Sequence, residues 1–177
     1  QIIQKNRPYV LDKRNAMGEW AYQAIGKVQS RGFEAELSGD LTEDWKISAN
    51  YAFNMSKYKE SEGARYPIGT NFSKHTPKHM FRLYTSYRIP FVDRKWIIGG
   101  GMTVQSKTNS LWDVGQGGYL LWNADVHYTP TKNLNLSLIG SNLGNRRYYE
   151  NHRIRTMGIN NIYGQPRNVM FKVDYKF

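Results

Sequence analysis

The feature that most constrains this chain is a two-residue alternation of apolar and polar side chains, which recurs in seven separate runs. In one run, Trp96, Ile98, Met102 and Val104 fall on one side, and smaller or more polar residues lie between them. Successive side chains of a β-strand point to opposite faces, so each run predicts a strand with one apolar and one polar face. The predicted strands cover residues 33–41, 45–53, 81–89, 96–104, 120–128, 134–138 and 169–177, with a partial strand at residues 1–6.

Composition and helical periodicity narrow the fold class further. No segment of the 177 residues shows the period of an amphipathic helix, and no Cys is present, which excludes a disulfide scaffold and a thiolate metal site. Mean hydropathy is −0.68, and no stretch approaches the ~20 apolar residues of a membrane-spanning helix. A helical membrane protein is therefore excluded, but a membrane β-barrel is not, because its strands are only half apolar.

The connections between the predicted strands alternate in length. Short connections rich in turn residues lie at residues 42–44, 90–95 and 129–133. Long connections cover roughly residues 7–23, 57–77, 107–117 and 144–165. In an antiparallel up-and-down meander, alternate connections lie at the same end of the sheet. One end is therefore predicted to carry only short turns and the other end to carry long loops. This layout is typical of a transmembrane β-barrel in a bacterial outer membrane, with short periplasmic turns, long extracellular loops and here a periplasmic C-terminus.

A soluble barrel or sandwich would show the same alternation, but two details favour the membrane. The polar face carries charges in mid-strand and the apolar face carries none; the charged residues are Glu36, Arg82, Asp125, Lys172 and Asp174. Aromatic residues collect at the strand ends near the short turns, where a ring with a polar tip suits a membrane interface; they are Trp45, Tyr87, Trp96, Tyr128, Tyr175 and Phe177. Seven or eight strands also suffice for a small closed barrel, so a self-contained porin or adhesin is a second interpretation.

Four segments, in order along the chain, resemble motifs of TonB-dependent siderophore receptors. Residues 26–39 (GKVQSRGFEAELSG) are similar to a strand of that family, and residues 142–149 (NLGNRRYY) are similar to its N-L-F-D-K-x-Y segment, with Gly144 in place of the usual aromatic residue. Residues 163–169 (YGQPRNV) resemble the entry to the family's last strand, and the chain ends in a terminal aromatic, Phe177. The set covers most of the chain from about residue 20 onward.

The resemblance implies a barrel of 22 strands with an N-terminal plug domain. Residues 1–177 would be one domain, the C-terminal part of that barrel, with the plug absent. The chain opens at Gln1 without a targeting signal, as expected if a signal was removed or if the chain is part of a longer one.

The implied function is import of a ferric siderophore, closest to the receptors for hydroxamate or mixed-type siderophores. Iron would be carried within the siderophore, without a protein cofactor, and the chain would not be an enzyme. The implied partners are the siderophore, the plug domain, the TonB complex acting through the missing N-terminal part, outer-membrane lipid and lipopolysaccharide, and the barrel assembly machinery, reached by the C-terminal strand. The +11 net charge is divided between loops and polar strand faces, so no nucleic-acid partner is expected.

The long loops combine cations with aromatic residues, and residues 57–78 and 144–165 each carry a net charge of +3. Cations concentrate anionic ligands, and aromatic rings supply contact area. We therefore predict that the ligand is bound by residues of these loops, namely Tyr66, Trp112, Arg146, Arg147, Tyr148, Tyr149, Arg153 and Arg155. The alternative is that these cations pair with lipopolysaccharide phosphates or with acids elsewhere in the barrel.

Three further groups of residues are of types that take part in catalysis or in ligand binding. Asp125 and His127 lie two residues apart on the polar face and would be neighbours in the lumen. A barrel hydrolase would use such a pair in catalysis, but no Ser in a nucleophile-elbow context accompanies them, so a hydrogen-bonded luminal pair is the prediction. Gly99-Gly100-Gly101 lacks the Lys-Ser/Thr ending of a phosphate loop and predicts strand curvature or a close luminal contact. The four His form no metal-binding motif, so no metal site is predicted.

Overall fold

The computed structural model describes residues 2–14, 16–60, 67–110, 114–151 and 161–177. Every element in these ranges is a strand, and none of the described residues forms a helix that is long and apolar enough to cross a membrane. The strands are β1 (Ile2–Arg14), β2 (Trp20–Thr42), β3 (Trp45–Glu60), β4 (His79–Ile89), β5 (Trp96–Gln105), β6 (Thr108–Asn109), β7 (Gly115–Gln116), β8 (Tyr119–Thr131), β9 (Leu134–Ser141), β10 (Tyr149–Asn151), β11 (Ile162–Tyr163) and β12 (Asn168–Tyr175).

Eight of these strands form one antiparallel sheet in the order β1-β2-β3-β4-β5-β8-β9-β12. Each strand of this sheet pairs with the strand before and after it in the chain, which is an up-and-down meander. The predicted all-β antiparallel architecture of seven to eight strands is confirmed. The short strands β6–β7 and β10–β11 form two separate hairpins, each within a long connection.

The apolar side chains share one face of the sheet. Phe33 lies opposite Phe53, and Tyr51 lies opposite Phe81, which in turn lies opposite Val104. No other part of the described chain covers this face. Phe171, for example, is 64% exposed, and the only buried apolar residues among the described side chains are Val28 and Tyr58. A soluble sandwich would bury its apolar face against a second sheet. A single layer with an open apolar face is instead typical of the lipid-facing wall of a membrane barrel.

The prediction of a long connection at residues 7–23 is wrong. β1 continues to Arg14 and β2 begins at Trp20, so the two strands form a long hairpin with pairs such as Tyr9 opposite Gln23. The register shifts between Asn6 and Pro8, where proline has no N–H to donate to the ladder. The apolar alternation fades in this segment because backbone hydrogen bonds alone can extend a hairpin beyond the region where lipid requires an apolar face.

The short connections lie together at one end of the sheet. The carboxylate of Asp44, in the β2–β3 turn, accepts a hydrogen bond from Arg94 in the β4–β5 turn. The Asp44 carbonyl accepts another from the backbone N–H of Arg88 at 2.8 Å. Asp93 and Arg94 both have positive φ, 50° and 55°, which reverses the chain tightly. The predicted alternation of short and long connections therefore holds from β2 onward and fails at the β1–β2 connection, which is short.

Candidate functional site

The predicted ligand-binding residues at 146–149 lie together at the looped end, between β9 and the first residue of β10. Tyr66, Trp112, Arg153 and Arg155 lie outside the described residues, so their predicted roles stay predictions. The side chains of Arg146 and Arg147 are exposed, and the structure gives neither of them an ion pair within the described ranges. Two neighbouring guanidinium groups that are exposed and make no ion pair within the described ranges are suited to binding an anionic ligand.

Asn142 holds the segment that carries these arginines. Its side chain is 4% exposed, and its Oδ1 accepts the backbone N–H of Arg146 at 2.9 Å. Its Nδ2 donates to the carbonyls of Arg146 and Gln165, each at 2.9 Å. One further bond links the same two regions, because the backbone N–H of Arg167 donates to the side chain of Asn145 at 3.2 Å. These hydrogen bonds therefore join the segments 142–149 and 163–169.

Four tyrosines lie in or beside these two joined segments. We call Tyr119, Tyr148, Tyr149 and Tyr163 the tyrosine cluster. The ring of Tyr148 lies 4.7 Å from that of Tyr119, and the ring of Tyr149 stacks on that of Tyr163 at 4.7 Å and 23°. The ring of Tyr148 also packs directly against Gly164, where a Cβ atom would collide with the ring. A glycine is required at position 164 for this close approach.

A hydrogen bond joins the two stacked rings of the tyrosine cluster. The hydroxyl oxygens of Tyr149 and Tyr163 are 3.3 Å apart. This bond, together with the nearby charge of Tyr163, raises the pKa of Tyr149 above its ordinary value of 10.0. Tyr149 therefore stays neutral at physiological pH, and the stacked pair presents hydroxyl groups on an aromatic surface.

Gln116 ties the β6–β7 hairpin to the tyrosine cluster. Its Nε2 donates to the Tyr149 carbonyl at 3.1 Å, and its Oε1 accepts the Tyr149 backbone N–H. The sequence-based prediction missed both Gln116 and Tyr119. The run of glycines around Gln116, at 115, 117 and 118, is the only local signal, because it marks a segment in which the backbone packs closely. The backbone does pack closely at Gly118, since a Cβ there would lie 2.9 Å from the Gln105 carbonyl oxygen.

The predicted hydrogen bond between Asp125 and His127 is confirmed, and it belongs to a polar network on the polar face of the sheet. His127 Nε2 is 2.8 Å from Asp125 Oδ2, and His127 Nδ1 is 2.8 Å from Ser137 Oγ on β9. The Tyr84 hydroxyl donates to Asp125 at 3.1 Å from β4, across the intervening β5. It can reach Asp125 because position 99 is glycine, where a Cβ would lie 2.5 Å from Asp125 Oδ2. The predicted close luminal contact at the glycine run is therefore present.

This network has the composition of a Ser-His-Asp site but not its access. Ser137 is 3% exposed, so a substrate carbonyl has no approach to its hydroxyl. Both oxygens of Asp125 accept bonds from Tyr84, which leaves the carboxylate engaged within the wall. The arrangement binds β4, β8 and β9 together and matches the structural interpretation of Asp125 and His127 rather than the catalytic one.

The predicted membrane-interface aromatics form pairs near the short turns. Trp96 stacks on Tyr128 with ring centroids 4.3 Å apart, Trp45 meets the edge of Tyr87 at 6.5 Å, and Tyr175 meets Phe177 at 5.2 Å. A second group lies on the same face towards the looped end and comprises Phe33, Tyr51, Phe53 and His79. Residues 45 to 53 of β3 separate the two groups by about 27 Å along the strand. Two aromatic bands at such a spacing are typical of a membrane barrel.

Comparison with known proteins agrees with this architecture. The profile of the family described as "TonB dependent receptor-like, beta-barrel" matches residues 1–143. The chain belongs to this TonB-dependent receptor family. The family is one of outer-membrane receptors rather than enzymes, so the chain is part of an outer-membrane receptor barrel, as the four motifs predicted, and the porin or adhesin interpretation is not supported.

Several named relatives of this TonB-dependent receptor chain are pyoverdine receptors. The ferric-pyoverdine BN7/BN8 receptor of Pseudomonas putida is 34% identical to it over 157 residues, which are 88% of this chain and 18% of that protein. The ferripyoverdine receptor of Pseudomonas aeruginosa is 30% identical over 167 residues, which are 89% of this chain and 19% of that protein. The chain thus spans about a fifth of the length of the curated relatives it matches.

A solved receptor has the same strand arrangement. The crystal structure of the ferripyoverdine receptor of the outer membrane of Pseudomonas aeruginosa, bound to ferripyoverdine, superposes with a TM-score of 0.82 at 27% identity. The superposition covers 99% of this TonB-dependent receptor chain and 24% of the solved chain. The meander described above is therefore the arrangement found in a stretch of a complete receptor barrel.

Proposed function

We propose that this chain is part of the barrel of an outer-membrane receptor that binds and imports a ferric siderophore. The observation that carries the proposal is the tyrosine cluster beside Arg146 and Arg147, at the looped end of a barrel wall whose relatives are named as ferric-pyoverdine receptors. Hydroxamate or mixed-type ferric siderophores are the ligand class that we propose from the sequence resemblance.

The proposed binding surface uses two kinds of contact. Arg146 and Arg147 attract the oxygen-rich, anionic parts of the ligand, and Tyr148 and Tyr149 supply flat apolar area with hydroxyl groups at the edge. Arg153 and Arg155, on the same long connection, and Tyr66 and Trp112, on two other long connections, belong to the same proposal. Iron arrives inside the siderophore, so the chain has to recognise the chelate and not the bare ion.

Import requires more than this wall. In the proposed mechanism the ligand binds between the outer loops and a plug domain, and the TonB complex then displaces the plug. The polar strand face lines the route, and the network around Asp125 keeps that part of the wall rigid. The short turns and the C-terminus lie in the periplasm, the C-terminal strand contacts the assembly machinery during insertion, and the apolar face contacts lipid and lipopolysaccharide.

Growth and uptake experiments test this proposal. The complete receptor is expressed in a receptor-deleted strain that grows under iron limitation on single ferric siderophores. The expected result is growth and radiolabelled-iron uptake with one siderophore of the hydroxamate or mixed-type class. Absence of uptake with every ferric siderophore, in cells with folded receptor in the outer membrane, contradicts the proposal.

A double variant tests the residue roles separately. Arg146→Ala with Arg147→Ala is expected to weaken siderophore binding about tenfold or more, because two charge-assisted contacts are lost. The matched control is Lys132→Ala with Lys176→Ala, which removes the same charge at the opposite end of the sheet and leaves affinity unchanged. Equal effects of the two double variants would show that only net charge matters and that the arginines do not contact the ligand.

A further inference from the structure

A cleft of about 630 Å³ lies at the looped end, apart from the arginines discussed above. It is lined by residues 54–56 of β3, by residues between 71 and 78 of the β3–β4 connection, by His79 at the start of β4, and by residues 106–109 and 115–117 between β5 and β8. Lys74, Lys78 and Lys107 line it, and we call it the cationic cleft. Its volume is within the range of small-molecule sites.

The backbone fixes the walls of the cationic cleft. The segment 69–72 pairs with the end of β3, where the Tyr58 N–H donates to the Thr70 carbonyl at 3.1 Å and the Phe72 N–H donates to the Ser56 carbonyl at 3.0 Å. Tyr58 is 3% exposed and meets the edge of the Phe72 ring at 5.6 Å. The segment is therefore packed against the sheet, and Lys74 follows it two residues later in the chain.

Both lysine-bearing connections are also tied to each other. The backbone N–H of Asn109 donates to the Lys74 carbonyl at 2.8 Å, and that of Ser106 donates to the His79 carbonyl at 2.9 Å. The Asn54 N–H donates to the Lys78 carbonyl at 2.9 Å. Lysines that come from two different connections are thus brought to one cleft by hydrogen bonds that do not involve their side chains.

Among the described residues, the lining of the cationic cleft carries positive charge and no negative charge. The lining residues of the described part of the chain include no Asp or Glu, and Glu60 at the end of β3 is paired with Lys27 at 2.8 Å. Lys78 and Lys107 take part in none of the ion pairs that the structure shows among the described residues. Like charges around one cleft repel each other, and a bound anion would remove that repulsion.

Neutral hydrogen-bonding groups complete the lining. Asn54, Asn71, Ser73 and Ser106 contribute amide and hydroxyl groups. Gln116 lines the cleft as well, and both ends of its side-chain amide are bonded to the backbone of Tyr149. The cationic cleft therefore adjoins the tyrosine cluster through one shared residue.

We propose that the cationic cleft binds a ligand with two or more oxyanion groups, carboxylate or phosphate. Amines and hydroxyl or amide donors arranged around a small volume are the complement of such groups. The oxyanions can belong to acidic substituents of the imported ligand or to the phosphates of lipopolysaccharide. The site is distinct from the pair Arg146 and Arg147, and the inference does not depend on the transport activity proposed above.

Binding of simple probes tests the inference. The complete receptor is purified in detergent, stripped of lipopolysaccharide and titrated calorimetrically with citrate and with pyrophosphate at low salt. The expected result is saturable binding of at least one probe, weakened about tenfold or more in Lys78→Gln with Lys107→Gln. The control, Lys132→Gln with Lys176→Gln, removes the same charge at the other end and is expected to bind as the parent does.

Two results of the titrations would contradict the inference. If neither probe binds the parent, or if the cleft variant and the control bind a probe equally well, the inference is overturned. The fold of each variant is checked by its heat-dependent migration in SDS gels, and the single variants replace any double variant that does not fold. Because the probes contain no siderophore, this outcome is separate from the uptake experiment that judges the proposed function.

Two further measurements identify the source of the oxyanion. If it is the imported ligand, the cleft variant lowers affinity for the ferric siderophore and citrate competes with it. If it is lipopolysaccharide, the variant instead loses co-purifying lipid phosphate and keeps its siderophore affinity. Either result supports an oxyanion site and assigns its natural ligand.

Discussion

Asn142 is the residue on which the arginine-bearing turn depends. It has a positive φ of 47°, a conformation that Asn and Gly tolerate better than other residues. Its buried side chain satisfies three backbone groups, at Arg146 and Gln165. Local sequence indicates a turn here, but the bond to Gln165 joins residues far apart in the chain, so that role could not be predicted from the motif.

Replacement of Asn142 is expected to destabilise the barrel measurably. Asn142→Ala should lower the free energy of unfolding by about 2–4 kcal/mol, because three hydrogen bonds are lost and alanine disfavours the backbone conformation. Asn142→Gly loses the same bonds without the backbone penalty and should be about 1 kcal/mol milder. Urea unfolding of the complete receptor, followed by tryptophan fluorescence, measures both; identical stabilities of the two variants would show that backbone strain plays no part.

Gly99 provides a second test at the residue scale. Gly99→Ala places a methyl group against Tyr84 and Asp125 and should break their hydrogen bond, at a cost of about 1–2 kcal/mol. Gly100→Ala is the control, because the nearest atom to a Cβ there is the Asn123 carbonyl at 3.4 Å, an ordinary contact. The same unfolding measurement applies. If Gly99→Ala is no worse than Gly100→Ala, the luminal network does not depend on that glycine.

At the scale of elements, the sequence predicted the strands where lipid imposes a pattern and missed structure where it does not. The strands from 33–41 onward were predicted because each needs an uninterrupted apolar face. The ends of β1, β2 and β3 beyond the membrane carry no such pattern, and neither do the two hairpins. Their pairing is set by backbone hydrogen bonds and by side chains such as Gln116, whose partner is distant in sequence.

β3 allows a matched comparison of its two faces. Ala49 lies on the apolar face opposite Leu83, and its neighbour Ser48 lies on the polar face opposite Tyr84. Ala49→Arg should destabilise the barrel by about 2–4 kcal/mol, because a cation near the bilayer midplane is poorly solvated. Ser48→Arg should cost less than about 1 kcal/mol. Equal costs in liposome-reconstituted receptor would mean that neither face meets lipid.

At the scale of the whole molecule, the fold class could be predicted from the sequence, whereas the composition of the site could not. The faces of the sheet follow from the period of two, and the two ends follow from connection length. The tyrosine cluster needs Tyr119 from the start of β8 beside Tyr148, and the cationic cleft needs lysines from two connections. Both depend on how the long connections fold back over the sheet, which local sequence does not encode.

The central claim is that the uncharged face of this sheet meets lipid and the charged face meets water. Spin labels on single cysteines at Leu83, Thr85 and Ile98, and at Ser86, Thr103 and Gln105, test it in the complete receptor in liposomes. The first three should be accessible to oxygen and shielded from a water-soluble nickel complex, and the other three should show the reverse. If both sets are equally accessible to the nickel complex, the sheet does not separate lipid from water, and the account is contradicted.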